Sequence, residues 1–243
     1  MKKRMSVAGL ALQLTAFPMA VLFVLVSAAQ MVLFVPPHEV SFGYSTQVLV
    51  FEHQLEPLVP RIGSLGFLLT ALVLIWCCSS HKRCDFSMTL SRLGISEAEV
   101  RRIFALVFTG YFLLYWALQF GTVTALYARS EMLRGQDPLW FFLACYRSPY
   151  LHLLMPLREV LGYVRNVSVC LAFGAMAALC LTGGSRKVSP LQIVPFLFWC
   201  VMNLSSPGRI GLWTTDVFLI LAAAAALAGS LWMTGRRISD EKI

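Results

Sequence analysis

The feature that most constrains this chain is a stretch near its N-terminus, residues 7–35, that contains no charged side chain. A helix needs roughly 20 predominantly apolar residues to cross the hydrocarbon core of a bilayer. The stretch is also longer than the apolar part of a cleaved secretory signal, which holds roughly 7–15 residues. We therefore expect it to stay in a membrane as a first transmembrane helix.

Five further segments approach the spanning length, at 62–78, 103–127, 160–182, 188–204 and 210–233. Hydrophobic residues make up 58% of the chain and charged residues 13%, whereas soluble domains carry roughly 25% charged residues. The sequence therefore predicts an all-α, polytopic membrane protein. Residues 1–243 form a single transmembrane domain of about six helices in this prediction.

The distribution of basic residues predicts the orientation of these helices. One set of alternate loops holds thirteen Lys and Arg against five acidic residues, and the other holds seven Arg against seven acidic residues and no Lys. Because Lys and Arg resist translocation, the first set is predicted to be cytoplasmic, together with both termini. The longer outer loops are then 36–61 and 128–159, and the segment 139–155 is either interfacial or re-entrant. The formal charge of +8 is explained by topology, so nucleic acid is not an expected partner.

The cytoplasmic loop between the second and third spans carries a helical pattern. Phe86, Leu90 and Leu93 recur at i, i+4 and i+7, which predicts a short amphipathic helix over 86–93. Gly94 is a plausible stop for this helix. The loop is either a solvated connector or an element that docks a partner protein.

A capping-box pattern follows that helix directly. Ser96 and Glu99 have the Ser-x-x-Glu spacing that satisfies the first backbone donors of a helix. The third membrane helix should therefore begin in the cytoplasm near Glu97 and run unbroken to about residue 127.

The stretch 89–100, placed after the second of six predicted spans, resembles the corresponding loop of ABC-2-type transporter permeases. In that family a short coupling helix at this position seats in a groove of the ATP-hydrolysing subunit. A difference is that many relatives carry Pro where Gly94 stands, so the rigidity of the turn can differ. The docking residues that the resemblance implies are Phe86, Leu90, Arg92, Leu93, Gly94, Ser96, Glu97 and Glu99.

The resemblance implies a membrane-spanning permease subunit of an ATP-driven exporter, which forms half of a translocation path in a bacterial plasma membrane. Its partners would be ATP-binding-cassette ATPase subunits and a second six-helix permease subunit, identical or related. Antimicrobial-peptide export or immunity is one subgroup, with an amphipathic peptide or a lipid-like molecule as cargo. The alternative class is a motor-free membrane protein, such as a sensor, an assembly factor or a secondary transporter.

The sequence does not favour an enzyme. The phosphate-binding pattern G-x-x-x-x-G-K-[ST] is absent, so we expect ATP and Mg²⁺ to bind a partner subunit and no cofactor to bind this chain. The zinc-binding pattern H-E-x-x-H is also absent, and we expect no metal site.

One charged residue, Arg165, falls inside the fourth predicted span, where an unpaired charge is costly. Either it reaches outward with Arg158 and Glu159, or it lies buried on a translocation path. Asp216, near the outer start of the sixth span, could pair with an outer arginine. The sequence favours an outer-leaflet charge cluster of Arg158, Glu159, Arg165 and Asp216.

Overall fold

The computed structural model describes residues 2–34, 40–42, 45–47, 51, 55, 58–81, 96–134, 139–157, 159–179 and 213–240. Its helices are α1 (Lys2–Leu33), α2 (Val59–His81), α3 (Glu97–Arg134), α4 (Leu139–Arg147), α5 (Pro149–Leu154), α6 (Val160–Leu179) and α7 (Trp213–Asp240). A short antiparallel hairpin joins β1 (Val40–Phe42) to β2 (Ser45–Gln47), with Ser41 opposite Thr46. Apart from this hairpin, the described elements are helical, in agreement with the predicted fold class.

Four of these helices contain segments that are long and apolar enough to cross a membrane, which indicates an integral membrane protein. The segments are Met5–Leu33, Val59–Cys77, Ala98–Ser130 and Val160–Leu179. They coincide with the first four predicted spans. Large apolar side chains such as Phe17, Trp76 and Leu106 point outward from the bundle, as expected for helices that face lipid.

The described residues do not contain the predicted six spans. The sixth predicted span, 210–233, overlaps α7, but the apolar part of α7 within the described residues, Asp216–Gly229, is shorter than the other four segments. The fifth predicted span, 188–204, and the predicted docking helix, 86–93, lie outside the described residues.

Contacts between helices fix the directions in which they run. Thr15 of α1 donates a hydrogen bond to the hydroxyl of Tyr111 in α3 (3.0 Å), and Gln30 of α1 donates to Gln119 of α3 (2.7 Å). The residue numbers increase in both helices from the first contact to the second, so α1 and α3 are parallel. Gln30 also donates to the Val59 carbonyl at the start of α2 (3.2 Å), so α2 runs in the opposite direction.

The last two long helices both run against α3. The ring of Tyr163 in α6 lies 6.3 Å from that of Trp116, and Gly174 further along α6 lies against Thr109, which precedes Trp116. Asp216 at the start of α7 pairs with Arg165 near the start of α6, and the two helices pack along each other. Helices α2, α6 and α7 therefore begin at the end of the bundle where α1 and α3 finish, which we call the capped end.

Two apolar clusters hold the bundle together. One lies among α1, α2, α3 and α6 and includes the rings of Phe67, Phe112 and Phe173, whose centroids are 5.0–5.4 Å apart. The other lies towards the capped end, where α4 and α5 contribute Cys145 and Leu151 and pack near residues 123–127 of α3. The small helices α4 and α5 therefore close one end of the bundle.

Helix α3 begins where the sequence predicts. The Ser96 side-chain oxygen accepts a hydrogen bond from the Glu99 backbone N–H (3.3 Å), which is the N-cap bond of the predicted capping box. From Glu97 the helix continues without a break to Arg134, over 38 residues.

Candidate functional site

A cavity lies between α2, α3, α5, α6 and α7, towards the capped end of the bundle. The space open to the centres of water molecules is about 70 Å³. Because one water needs only about 10–15 Å³ on this measure, the cavity has room for more than a single water. Aromatic rings and aliphatic side chains form most of its wall, and Gln119, Arg165 and Asn166 are among its polar residues.

Two aromatic residues of α3 present apolar surface to the cavity because their polar atoms are engaged elsewhere. The Tyr115 hydroxyl donates to the Gly63 carbonyl (2.8 Å), and the Trp116 indole N–H donates to the Leu154 carbonyl (3.1 Å). These bonds also tie α3 to the start of α2 and to α5. The aromatic wall is therefore fixed from both sides.

A buried amide network forms one polar part of the wall. Gln119 Oε1 accepts hydrogen bonds from Gln30 Nε2 (2.7 Å) and from the Tyr150 hydroxyl (3.0 Å). Burial raises the pKa of Tyr150 well above its usual range, so its hydroxyl stays a neutral donor. The Gln119 Nε2 group has no hydrogen-bond partner among the described residues.

Glycine at position 63 makes room for this network. A Cβ at Gly63 would lie 2.6 Å from the Tyr150 hydroxyl and 3.0 Å from Gln119 Oε1. The helix backbone of α2 can therefore approach the two polar side chains only because position 63 has no side chain.

An ion pair forms the second polar part. The side chains of Arg165 and Asp216 are 2.5 Å apart at Nη1 and Oδ1, and the two residues are 1% and 2% exposed. Arg165 Nε also donates to Asn166 Oδ1 (3.1 Å), and Asn166 Nδ2 donates to the Leu153 carbonyl (2.7 Å). Burying either charge alone would be costly, so the fold requires both members of the pair. Arg165 Nη2 is unpartnered within the described part of the chain.

The predicted charge cluster is divided in the structure. Arg165 and Asp216 meet in the cavity wall, whereas Glu159 is exposed and contacts His152 (Nε2 to Oε2, 3.2 Å). Arg158 lies outside the described residues. Arg165 therefore does not extend to the surface as the sequence interpretation favoured, because Asp216 on the neighbouring α7 gives it a buried partner.

The predicted docking residues are described only in part. Ser96, Glu97 and Glu99 form the first turn of α3. Tyr115, the first residue of α3 that lines the cavity, follows about 20 residues later along the chain. The remaining docking residues, Phe86, Leu90, Arg92, Leu93 and Gly94, lie outside the described residues.

The amide network was not predicted from the sequence. Gln30 and Gln119 are visible as isolated polar residues within predicted spans, but nothing in the sequence alone brings them together. A usable signal was their depth: Gln30 is close to the outer end of the first predicted span, and Gln119 close to that of the third. Polar residues at matching depth in neighbouring spans are candidates for interhelical hydrogen bonds.

The described residues contain no group of three or more His, Cys, Asp or Glu side chains arranged to hold a metal ion. No family model, curated protein or solved structure matches this chain.

The arrangement of apolar and polar residues around the cavity is suited to binding a molecule that combines an apolar body with a hydrogen-bonding group.

Proposed function

We propose that this chain is the membrane-spanning subunit of an ATP-driven exporter of the ABC-2 type, with the cavity as its cargo site. One observation carries the proposal: α3 connects the predicted docking loop with the cavity as a single helix. It begins at the capped turn of Ser96 and supplies Tyr115, Trp116 and Gln119 to the cavity wall.

The length of α3 supports a mechanical role. Its 38 residues correspond to about 57 Å at 1.5 Å per residue, and the helix contains no proline. A displacement of its first turn by a docked ATPase would therefore be transmitted to the cavity wall as a movement of one element. In this mechanism the chain binds and moves cargo, and ATP is hydrolysed on the partner subunit.

Helix direction supports the six-span arrangement that this proposal requires. Helix α6 is long enough to span a membrane, yet α7 begins at the same end of the bundle as α6. If α6 crosses the membrane, the proposal requires a further crossing before α7 begins. The predicted fifth span, 188–204, would provide one, and α7 would then return the C-terminus to the side of the N-terminus. Two such subunits, identical or related, would enclose the complete path.

Co-purification tests the proposal. If residues 86–93 dock an ATPase, changing Leu90 and Leu93 to Ala removes apolar interface and should weaken association by roughly tenfold or more. The matched control replaces two outward-facing leucines of α3, Leu106→Ala and Leu114→Ala, and should leave association unchanged. Recovery of the same amount of ATPase with the wild-type chain and with the loop variant would contradict docking at this loop.

A motor-free carrier is the second candidate, and the buried Arg165–Asp216 pair is the observation that favours it. Ionisable residues inside membrane bundles often mark ion or proton paths. Failure of the wild-type chain to recover any ATPase, together with uptake into proteoliposomes that depends on an imposed proton gradient, would favour this candidate over the exporter.

A further inference from the structure

We infer that the cavity binds hydrocarbon alone, as a segment of roughly five carbons of an alkyl chain whose hydrogen-bonding groups remain outside. The inference rests on the proposed function, since it names the part of the cargo that the cavity would hold. Its test measures binding to the purified chain and requires no ATPase, so the two proposals can fail separately.

The first step is the chemistry of the surface that the cavity presents. Nearly all of the accessible surface of its wall is apolar. The donors of Tyr115, Trp116 and Asn166 are bonded to backbone carbonyls. The Tyr150 hydroxyl donates to Gln119 Oε1. The polar groups of the wall therefore bond to the protein itself, and a molecule in the cavity meets mainly hydrocarbon.

The unpartnered donors of the lining residues do not change this conclusion. Gln119 Nε2 and Arg165 Nη2 are buried, with almost no accessible surface. Arg165 Nη2 lies 3.8 Å from the position that a Cβ at Gly162 would take, and Gly162 does not line the cavity. Neither atom therefore offers a hydrogen bond to a molecule in the cavity.

The second step compares the possible contents of the cavity. One water needs about 10–15 Å³ of the space open to water centres, so about 70 Å³ holds roughly five groups of that size. Water would need about two to four polar partners, which this wall does not offer. An empty cavity would forfeit the dispersion contacts of the groups that line it. Methyl and methylene groups restore these contacts and need no polar partner.

The third step is the depth of the cavity in the membrane. Gly63 follows the start of the apolar segment of α2, Val59, by four residues, and Cys170 follows the start of that of α6, Val160, by ten. At 1.5 Å per residue, these distances are about 6 Å and about 15 Å. Half of the hydrocarbon core of a bilayer is about 15 Å thick. The cavity therefore lies at the depth of acyl chains in one half of the membrane, and a polar head could remain at its surface.

Quenching of tryptophan fluorescence by two small bromides provides the test. The full chain in maltoside micelles is titrated with 1-bromobutane and with 3-bromo-1-propanol, which has a hydroxyl in place of the terminal methyl. Both molecules have the same number of non-hydrogen atoms, so they differ in polarity rather than in size. At about pH 6 the cysteine thiols are protonated and react only slowly with bromides.

Two tryptophans separate binding in the cavity from partition into the micelle. Trp116 lines the cavity, whereas Trp76 points outward and reports the concentration of bromide around the chain. The signal of each is the fluorescence of the wild type minus that of the variant with Phe at that position. At equal quenching of Trp76, we expect saturable quenching of Trp116 by 1-bromobutane. Binding of the alcohol should be roughly tenfold weaker, because its hydroxyl finds no accessible partner in the wall.

Filling the cavity should remove this binding. Val169→Phe adds a ring at a position that lines the cavity, and Val167→Phe makes the same change at an exposed position of α6. Leu219→Phe and Leu221→Phe form the corresponding pair in α7. We expect the saturable quenching of Trp116 to be lost in the first member of each pair and kept in the second.

Brominated lipids identify the source of the alkyl chain. The chain is placed in vesicles of phosphatidylcholine that carries bromine along its acyl chains. If a bilayer lipid supplies the segment, the lipid should quench Trp116 more strongly in the wild type than in Val169→Phe. If a separate cargo molecule supplies it, the lipid should quench both chains equally while 1-bromobutane still binds the wild type. Both results support a hydrocarbon site.

Three outcomes would overturn the inference. Equal binding of the bromoalkane and the alcohol would show that the cavity offers a hydrogen-bond partner. An absence of saturable quenching would show that hydrocarbon does not occupy the cavity. Unchanged binding in both Val169→Phe and Leu219→Phe would place the bound bromide elsewhere. If neither variant folds, the comparison of the two bromides on the wild-type chain still decides.

Discussion

The bundle has two regions that are stabilised in different ways. Around Phe112 and Phe173 the helices meet through aromatic rings and close backbone contact, and the hydroxyl of Thr109 there bonds to its own helix. Towards the capped end, α1 meets α3 through Gln30–Gln119 and α6 meets α7 through Arg165–Asp216, and a cavity lies in this part of the bundle. In the aromatic region the packing of the helices is determined by the shapes of the rings. In the polar region it is determined by the pairing of hydrogen-bond donors with acceptors.

This difference explains where the bundle can contain a cavity without losing its order. Close-packed rings lose dispersion contacts when a void appears, and the cavity reaches Phe67 at the edge of the aromatic region but is not lined by Phe112 or Phe173. Hydrogen-bonded pairs hold helices at defined distances without filling the space between them. The polar region can therefore keep a cavity while the bundle remains ordered.

The largest effect should come from separating the buried ion pair. Asp216→Asn leaves the Arg165 charge without its counter-ion in a buried site, and we expect the free energy of unfolding to fall by about 3–5 kcal/mol. Equilibrium unfolding in mixed detergent micelles measures this loss.

Two controls sharpen this prediction. The double variant Arg165→Met with Asp216→Leu removes both charges together and should recover most of the lost stability. Glu159→Gln disrupts only the exposed pair with His152 and should cost about 1 kcal/mol or less. Equal losses for Asp216→Asn and Glu159→Gln would mean that burial of the pair does not determine its importance.

A smaller effect is expected from adding one methyl group in the aromatic region. A Cβ at Gly174 would lie 2.6 Å from the Thr109 backbone nitrogen and 2.8 Å from the Ala105 carbonyl oxygen, neither of which can move independently of α3. Gly174→Ala should therefore reduce the free energy of unfolding by about 1–3 kcal/mol.

Gly110→Ala is the matched control because no heavy atom lies within 4 Å of its added Cβ. Alanine is also the better helix former, so this variant should be neutral or slightly stabilised. If both alanine variants unfolded at the same detergent fraction, the close approach of α3 and α6 at Gly174 would not be supported.

Removing the two neutral hydrogen bonds that Gln30 donates in the polar region should have a still smaller effect. Gln30→Met removes the bonds to Gln119 and Val59 while keeping a side chain of similar length. Interhelical hydrogen bonds in membranes contribute on average about 0.6 kcal/mol and at most about 1.7 kcal/mol, so the same unfolding assay should show a loss in this range. Gln13→Met, the same change at an exposed position of α1, should not reduce stability.

The last effect appears only at alkaline pH and concerns Cys145 in α4, one of the two small helices at the capped end. Burial raises the pKa of the Cys145 thiol from 9.0 to about 11. Between these values the folded chain holds the proton that the unfolded chain releases, so the free energy of unfolding should decrease as pH rises from 9.0 towards about 11. The contribution is complete below pH 9.0.

A difference between two chains isolates this contribution, because burial raises the pKa of Tyr150 in the same direction and adds its own loss at high pH. Cys145→Ala should show a shallower decline than the wild type in the alkaline range. Identical pH dependence of the two chains would show that Cys145 is not buried as a neutral thiol.

The sequence was a better guide to single helices than to their pairing. Four predicted spans correspond to helices of the structure, because apolar length is a property of one segment. The start of α3 at Glu97 was also predictable, since Ser96 and Glu99 are neighbours in the chain.

The candidate site was not predictable to the same degree. Whether Arg165 points to water or to Asp216 depends on the rotation of α6 and α7, which local sequence does not fix. The cavity further depends on Gly63, whose missing side chain matters only because Tyr150 and Gln119 approach it from other helices.

The order in which a ribosome delivers the two members of the ion pair has a consequence for biogenesis. Arg165 precedes Asp216 by 51 residues, so at about 5–20 residues per second it waits several seconds for its counter-ion. During that interval a helix with an unpaired arginine must remain close to the insertion machinery, or keep its charge in water. A chain truncated before α7 would keep this uncompensated charge permanently. An incomplete molecule would therefore differ from a complete one by an unpaired arginine, which cellular quality control could recognise.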